Sequence, residues 1–322
     1  MKLRWSGDDY ASWNKALSAQ LTTLLGLDRL FQQARPELNI RRLWKKEHEL
    51  GTIEKLIYTA EPGIDIPAYL CIPNHWQTRG PIFICLQGHS SGMHNSIAVK
   101  FGEEDTPIEI KGDRDFGLGC MRRGIAALCV EQRAFGERED TERTESWASR
   151  CHNPTLRALM LGRTLLGERV YDVDRSIDLL MELGGFDTNR LGVMGNSGGG
   201  TVALLSGALL DRITHVMPCC SFCSFAESIM AIDHCECNYI PGILDWAECA
   251  EIGGLVAPKP LVVINGKDDP IFPLEACKKE FARLQTIYNA AGAPNQCRHV
   301  IGDGAHRFYA KDAWAAMMPY LN

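Results

Sequence analysis

A serine flanked by glycines is the residue of this sequence best suited to act as a nucleophile. Ser197 is the centre of a G-x-S-x-G pattern formed with Gly195 and Gly199, between a short apolar run and a helix-compatible segment. Glycine at both positions permits the sharp strand-to-helix turn that exposes such a hydroxyl. The N–H of Gly198 would open the helix, where unpaired amides favour negative charge. The pattern predicts a nucleophile and one oxyanion donor, although a plain glycine-rich turn shares the same residues.

A serine hydroxyl needs a base, and that base needs a carboxylate to orient it. In an open sheet of parallel strands, both partners are expected in loops after later strands. One such loop contains Asp268 and Asp269, and we favour Asp269 because Pro270 biases it toward an extended conformation. His306 lies in a glycine-rich loop after the last predicted strand, whereas His299 falls inside a strand pattern and is interpreted as structural.

A second G-x-S-x-G match, formed by Gly88, Ser90 and Gly92, follows an early apolar run. Residues 93–106 are polar and acidic, so no amphipathic helix follows this serine as the pattern requires. We interpret the stretch instead as the loop that supplies the other oxyanion amide, from the backbone of His89.

The order of apolar and amphipathic segments predicts an α/β fold. From about residue 81 to the end, apolar runs of strand length alternate with amphipathic helices, which is typical of a mostly parallel central sheet with helices on both faces. Before it, residues 52–59 and 66–72 resemble strands joined by a turn and predict an edge hairpin. Apolar spacing over residues 9–33 predicts an N-terminal helix.

No repeat, low-complexity tract or linker divides the 322 residues. We therefore expect a helical extension, residues 1–50, packed on one catalytic domain, residues 51–322. Within that domain, residues 137–166 begin as a charged loop and continue as a helix, which suggests a cap insertion over the site.

The amino-acid composition argues against nucleic acid and anionic membranes as binding partners. The formal net charge of −6 gives no basic surface for nucleic acid or an anionic membrane. No apolar run is long enough to span a bilayer, and the N-terminal residues lack the apolar core of a signal peptide. We expect a cytoplasmic protein whose thirteen cysteines are mostly buried thiols.

Two further groups of residues have alternative interpretations. The spacing of one group of cysteines and a histidine suggests a zinc site; the group is Cys220, Cys223, His234, Cys235 and Cys237. We favour the alternative that these are small residues packed in the protein interior. We expect no metal or cofactor. Arg133 is a candidate for binding a substrate carboxylate or sugar hydroxyl. An ion pair with neighbouring glutamates is the favoured alternative.

Several stretches resemble one family across roughly residues 50–322. The chain is similar to α/β-hydrolases of the dienelactone hydrolase and acetyl xylan esterase-like branch, in the stretches IPAYLCIP, IFICLQGH, EQRAFGER, GNSGGG, APKPLVVINGKDDPIFP and GDGAHRF. The resemblance implies a triad of Ser197, Asp269 and His306 and an esterase-type acyl transfer without a cofactor. Gln87 and Glu131 depart from the family pattern, which has His and Asp more often at these positions.

The expected function is hydrolysis of a small or sugar-linked carboxylic ester through an acyl-enzyme. The partner is a small-molecule ester, and a homo-oligomer is possible. Two alternatives remain: a serine peptidase of the prolyl oligopeptidase type, and a non-catalytic interaction protein on the same fold.

Overall fold

The computed structural model describes residues 1–7, 9–76, 79–140 and 150–321, and this part of the chain contains eleven strands. In chain order they are β1 (Arg41–His48), β2 (Gly51–Glu61), β3 (Ile64–Pro73), β4 (Gly80–Leu86), β5 (Val99–Lys100), β6 (Glu103–Pro107), β7 (Ala126–Val130), β8 (Phe186–Asn196), β9 (His215–Cys219), β10 (Leu261–Gly266) and β11 (Cys297–Gly302).

Nine of these strands form one sheet in the order β1-β2-β3-β7-β4-β8-β9-β10-β11, while β5 and β6 form a separate two-stranded ribbon. Strands β1, β2, β3 and β7 pair antiparallel in turn. From β7 to β11 every pair is parallel. Strands β7 and β10 are buried along their whole length because helices cover both faces of the sheet. The predicted mostly parallel α/β architecture is confirmed.

The helices of the described residues surround this sheet. They are α1 (Tyr10–Leu25), α2 (Leu27–Phe31), α3 (Phe116–Met121), α4 (His152–Met160), α5 (Leu165–Leu183), α6 (Gly198–Leu209), α7 (Cys249–Gly254), α8 (Leu274–Ala290) and α9 (Ala310–Met317). Not one of the helices described has the length and apolar character needed to cross a membrane.

The predicted N-terminal helix is present but divided. The Asp9 side chain caps α1 by accepting a hydrogen bond from the Ser12 N–H at 2.9 Å. Asp8, which precedes it in the sequence, lies outside the described residues. Gly26 adopts φ +70°, which ends α1 and starts α2. One face of α1 is buried in the main core, through Trp13, Leu17, Leu21 and Leu25.

The expectation of a helical extension over residues 1–50 is wrong for its last part, because Arg41–His48 forms β1. This strand pairs antiparallel with β2 and is the outermost strand, so the predicted hairpin of β2 and β3 lies one strand inside the edge. The strand has the sequence RRLWKKEH and no buried residue. It therefore lacks the apolar alternation by which strands are recognised.

The region expected to be a cap insertion is only partly described, since residues 141–149 lie outside the described ranges. The helix predicted across it is interrupted after α4, where Gly162 has φ +68°, and α5 begins at Leu165. Helix α4 contacts α5 and the short 3-10 turn Glu236–Asn238. The described part of the region thus packs against the segment that follows β9.

Candidate active site

Ser197 occupies a strained turn between β8 and α6. Its backbone has φ +55° and ψ −123°, a conformation that costs energy for a residue with a Cβ. The Ser197 N–H donates to the Cys219 carbonyl oxygen at 2.8 Å and fixes the turn against β9. The side chain is therefore carried above the end of the sheet, as a nucleophile turn requires.

The glycines around this turn allow backbone segments to touch. A Cβ on Gly195 would lie 2.4 Å from the carbonyl carbon of Gly199, and one on Gly199 would lie 2.2 Å from the Leu86 carbonyl oxygen. Both distances are far inside van der Waals contact. The turn can form against β4 only because these two positions lack side chains.

Asp269 and His306 are joined by a hydrogen bond of 2.8 Å between His306 Nδ1 and Asp269 Oδ2. The other carboxylate oxygen of Asp269 accepts from the backbone N–H groups of Ile271 at 2.9 Å and Phe272 at 3.4 Å. Burial tends to raise the pKa of Asp269, but the hydrogen bond and charge of His306 outweigh it and hold the pKa below its usual value. Asp269 is thus an ionised group that orients the imidazole through Nδ1.

The sheet register brings the three loops to the same edge. Asn196 and Ile264 both pair with Cys219, and Val300 pairs with Ile264, so β8 to β11 end side by side. The Cys219 thiol donates to the carbonyl oxygen of Arg307 at 3.2 Å and connects the end of β9 to the histidine loop. Ser197, Asp269 and His306 therefore follow neighbouring strands at the carboxyl end of the sheet.

Asp268 and His299, the neighbouring candidates for the carboxylate and the base, have other environments. Asp268 is exposed, and its backbone N–H donates to the Gly304 carbonyl oxygen at 2.8 Å. His299 lies within β11, where its Nε2 is 3.0 Å from Asn265 Oδ1 and its ring stacks on Phe281. Burial lowers the pKa of His299 to about 4. Both observations agree with the preference for Asp269 and His306.

The second serine pattern does not form a strand-turn-helix unit. Ser90 is exposed and is followed by the 3-10 helix Met93–Ile97. The loop nevertheless lies against the nucleophile turn, because a Cβ on Gly88 would be 3.1 Å from Ser197 Cβ. The His89 ring lies over Gly198, where an added Cβ would be 2.8 Å from its Cε1. This placement is compatible with an oxyanion amide at His89.

The two departures from the family pattern are buried supports of this loop. Gln87 Nε2 donates to Ser96 Oγ at 2.8 Å. Glu131 accepts the Met93 N–H at 3.0 Å with one carboxyl oxygen and the Glu137 N–H at 3.1 Å with the other. Burial raises the pKa of Glu131 to about 8, against the lowering effect of these hydrogen bonds.

Arg133 is largely buried among acidic side chains. Its guanidinium forms ion pairs of 2.7 Å with Glu61 and Asp172 and of 3.1 Å with Glu168, and only 11% of the side chain is exposed. Asp172 pairs in addition with Arg138 at 2.7 Å. The structure therefore favours an ion-pair role for Arg133, with acidic residues of other elements in place of the neighbouring glutamates expected, and its assignment to substrate binding stays a prediction.

An apolar cavity adjoins the site on the side of α6 and the segment after β9. The Phe272 ring lines this cavity and also stacks on His306, with 5.9 Å between ring centroids. The sequence gives no sign of this cavity, because its walls come from distant segments. The wall residues include Thr201, Leu205, Cys223, Phe225, Ile229 and Phe272.

The residues with zinc-like spacing are divided between separate places. Cys220 lies with Asp269 and His306. Cys223 lines the apolar cavity. Cys235 and Cys237 instead meet two residues that their spacing could not reveal, His89 and Cys151.

Comparisons with known proteins identify the family and the fold that this chain resembles. A family model described as acetyl xylan esterase (AXE1) matches residues 41–241. The candidate hydrolase YtaP of Bacillus subtilis (strain 168) is 24% identical over 280 residues, which cover 85% of this chain and 88% of YtaP. A candidate acetyl xylan esterase from Bacteroides fragilis NCTC 9343 has a TM-score of 0.75 at 16% identity, over 94% of this chain and 77% of that chain. The acetyl xylan esterase from Paenibacillus sp. R4 has a TM-score of 0.60 at 17% identity, over 94% and 93%.

The fold and these similarities define a carboxylic ester hydrolase of the α/β-hydrolase class, as the sequence predicted. The family match covers more than half of the chain, so this chain belongs to the acetyl xylan esterase family. The matched range ends before Asp269 and His306, whose pairing is an observation on this structure alone.

Proposed function

We propose that this protein removes acetyl groups from acetylated sugars, with Ser197 as nucleophile, His306 as general base and Asp269 as the carboxylate that orients it. The observation that carries the mechanism is the hydrogen bond from His306 Nδ1 to Asp269, because it assigns the role of proton acceptor to the other imidazole nitrogen, Nε2. Membership of the acetyl xylan esterase family supports the acetyl group and the sugar.

The reaction would proceed in two acyl transfers. His306 Nε2 takes the hydroxyl proton as Ser197 Oγ attacks the ester carbonyl, and Asp269 stabilises the imidazolium that forms. His306 then gives this proton to the oxygen of the leaving sugar, which departs as a hydroxyl group. Water, deprotonated by His306, attacks the acetyl-enzyme and releases acetate, which regenerates Ser197.

The charge of each tetrahedral intermediate needs hydrogen-bond donors. The N–H of Gly198 is the first of α6 and has no partner within the helix. The backbone N–H of His89 is proposed as the second donor, because its loop packs on Ser197 and Gly198. Donors of this kind contribute about 3 to 4 kcal/mol each to transition-state stabilisation.

A fluorophosphonate probe and a panel of esters test this proposal. We expect labelling at Ser197, and Ser197→Ala should lose both labelling and hydrolysis of p-nitrophenyl acetate, whereas Ser90→Ala retains both. Acetylated xylo-oligosaccharides should be hydrolysed in preference to lactones and aminoacyl amides. Labelling at Ser90 would refute the assignment of the nucleophile, and preferential amide cleavage would favour the peptidase alternative.

The kinship with dienelactone hydrolases, the cytoplasmic location and the homo-oligomer remain predictions from the sequence alone.

A further inference from the structure

Four side chains of metal-ligating type converge beside the nucleophile turn. His89 Nε2 lies 3.0 Å from Cys237 Sγ, and Cys235 Sγ lies 3.4 Å from Cys237 Sγ. Cys151 completes the group, in which all four ligand atoms lie within 4.8 Å of one another. We propose that His89, Cys151, Cys235 and Cys237 bind one zinc ion.

The donor set and its spacing fit zinc. Three thiolates and one imidazole form a closed tetrahedral set of the structural kind, with no position left for water or substrate. Zn–S bonds of about 2.3 Å and Zn–N bonds of about 2.0 Å place tetrahedral ligand atoms roughly 3.5 to 3.8 Å apart. The distances of 3.0 and 3.4 Å are slightly shorter than this range, and every other pair of ligand atoms lies within 4.8 Å, so the ion requires only small side-chain adjustments.

The charge of such a centre is balanced by a buried arginine. A zinc ion with three thiolates and a neutral imidazole carries one net negative charge, and Arg169 supplies one positive charge. The Arg169 guanidinium lies 3.3 Å from Cys237 Sγ and 3.5 Å from Cys151 Sγ, and the residue is only 1% exposed. N–H groups that donate to metal-bound sulfur are a common outer support of thiolate sites.

Arg169 is itself held firmly in this position. Its Nε and Nη2 donate to the Arg133 carbonyl oxygen at 3.1 and 2.8 Å, and its guanidinium lies 4.3 Å from the centre of the Phe135 ring. Phe135 also packs edge-on against the His89 ring at 5.0 Å. One aromatic side chain thus orients both the proposed ligand and the cation that compensates the thiolates.

The surroundings bury the sulfur atoms of Cys151 and Cys237, leave Cys235 half-buried, and add a second connection. Cys151 and Cys237 belong to a small buried apolar cluster with Ala134, Phe135 and Leu165. Next to the ligands in sequence, His152 Nδ1 lies 2.8 Å from Glu236 Oε1. The start of α4 and the turn Glu236–Asn238 are therefore already joined by a polar contact beside the cluster.

The ligands come from three separate segments, and an ion would fasten them to one another. His89 follows β4, Cys151 immediately precedes α4, and Cys235 and Cys237 follow β9. Because Gly88, the neighbour of His89, borders Ser197 and the His89 ring lies over Gly198, the ion would fix the loop that packs on the nucleophile turn. It would act by positioning this loop and would take no part in bond cleavage.

Metal content of the full chain tests the proposal. Protein purified under reducing conditions without an affinity metal should contain about one zinc per chain by mass spectrometry of the elements. Cobalt exchanged into the site should give intense tetrahedral d–d bands and a thiolate charge-transfer band. Cys151→Ser and Cys237→Ser should lose the metal, whereas Cys223→Ser, a buried cysteine outside the cluster, should retain it.

Three results would overturn this assignment. In the first, wild-type protein neither contains nor binds zinc after reduction. In the second, the spectrum of the cobalt-exchanged protein lacks a thiolate charge-transfer band. In the third, alkylation without prior reduction shows that these cysteines form a disulfide. Ser197→Ala should retain zinc while it loses esterase activity, so failure of the metal site and failure of the catalytic assignment are distinguishable.

Discussion

At the scale of single residues, Asp269 is notable because every oxygen of its side chain has a donor. One oxygen accepts two backbone N–H groups, and the other accepts His306 Nδ1. These bonds, together with the histidine charge, keep the pKa of Asp269 low although burial opposes it. The carboxylate is therefore a fixed negative charge that specifies which nitrogen of His306 carries a proton.

Asp269→Asn should lower kcat for p-nitrophenyl acetate by about 10³- to 10⁴-fold, because an amide stabilises the wrong imidazole tautomer and cannot stabilise the imidazolium. Steady-state kinetics, with circular dichroism to verify the fold, measures the effect.

Asp268→Asn is the matched control, since it makes the same change one residue away at an exposed position. It should retain near wild-type kcat. A loss confined to Asp268→Asn would transfer the role to that residue.

The residue types next to each position in the sequence were sufficient to predict Asp269 and His306, but they were insufficient to predict the partners of Arg133. Asp269 and His306 could be chosen because each lies in a loop of distinctive composition after an apolar run. The ion pairs of Arg133 with Glu61 and Asp172 could not be predicted, because those partners lie on other elements and sequence distance carries no information about them.

At the scale of elements, Glu131 connects two loops that border the site. It follows β7 directly and accepts N–H groups from Met93, which starts a 3-10 helix, and from Glu137 in the next turn. Gly92 and Gly136 permit its approach, since a Cβ on either would lie within 2.8 Å of Glu131 Oε2. A change in the protonation of Glu131 therefore alters hydrogen bonds to both loops.

The raised pKa of Glu131 has a definite effect on stability. With a folded pKa of about 8 and an ordinary value near 4.5, the folded state binds more protons between these pH values. This group therefore makes the free energy of unfolding fall as pH rises from about 4.5 to 8, by up to a few kcal/mol. Glu131→Gln cannot ionise and should show a shallower fall, measured by urea unfolding at several pH values.

The slope with pH is the test, since the substitution itself alters the absolute stability. Glu182→Gln, on the exposed face at the end of α5, should keep the wild-type slope. Parallel curves for Glu131→Gln and the wild type would contradict the raised pKa.

The elements differ in how well the sequence predicted them. Buried strands such as β10 and amphipathic helices such as α8 agree with the alternation predicted from about residue 81 onward, because their apolar spacing reflects the packing they make. Strand β1 was not, because it lies on the outside of the sheet and is held by backbone pairing to β2. The cluster of His89 with Cys151 was missed for a different reason: its members come from segments far apart in the chain.

At the scale of the whole molecule, α1 is an integral part of the fold. Leu17, Leu21 and Leu25 are fully buried in the core that also contains residues of α5 and α6. Leu21→Ala should lower the free energy of unfolding by about 2 to 5 kcal/mol, from lost transfer energy and the cavity left behind. Denaturant unfolding measures this change.

Lys15→Ala, at an exposed position of the same helix, should change stability by less than about 0.5 kcal/mol. Equal stability of Leu21→Ala and the wild type would mean that the N-terminal helix folds independently of the catalytic domain.

The outer position of β11 affects how the enzyme would lose activity on heating. Within the part of the chain that the structure describes, this strand ends the sheet and pairs only with β10, whereas β8, which precedes Ser197, is paired on both sides. Edge strands fray at lower cost than central ones. Amide hydrogen exchange should therefore be faster in β11 than in β8. Because β11 precedes the His306 loop, its detachment on heating would abolish activity reversibly while the central strands of the sheet remain folded.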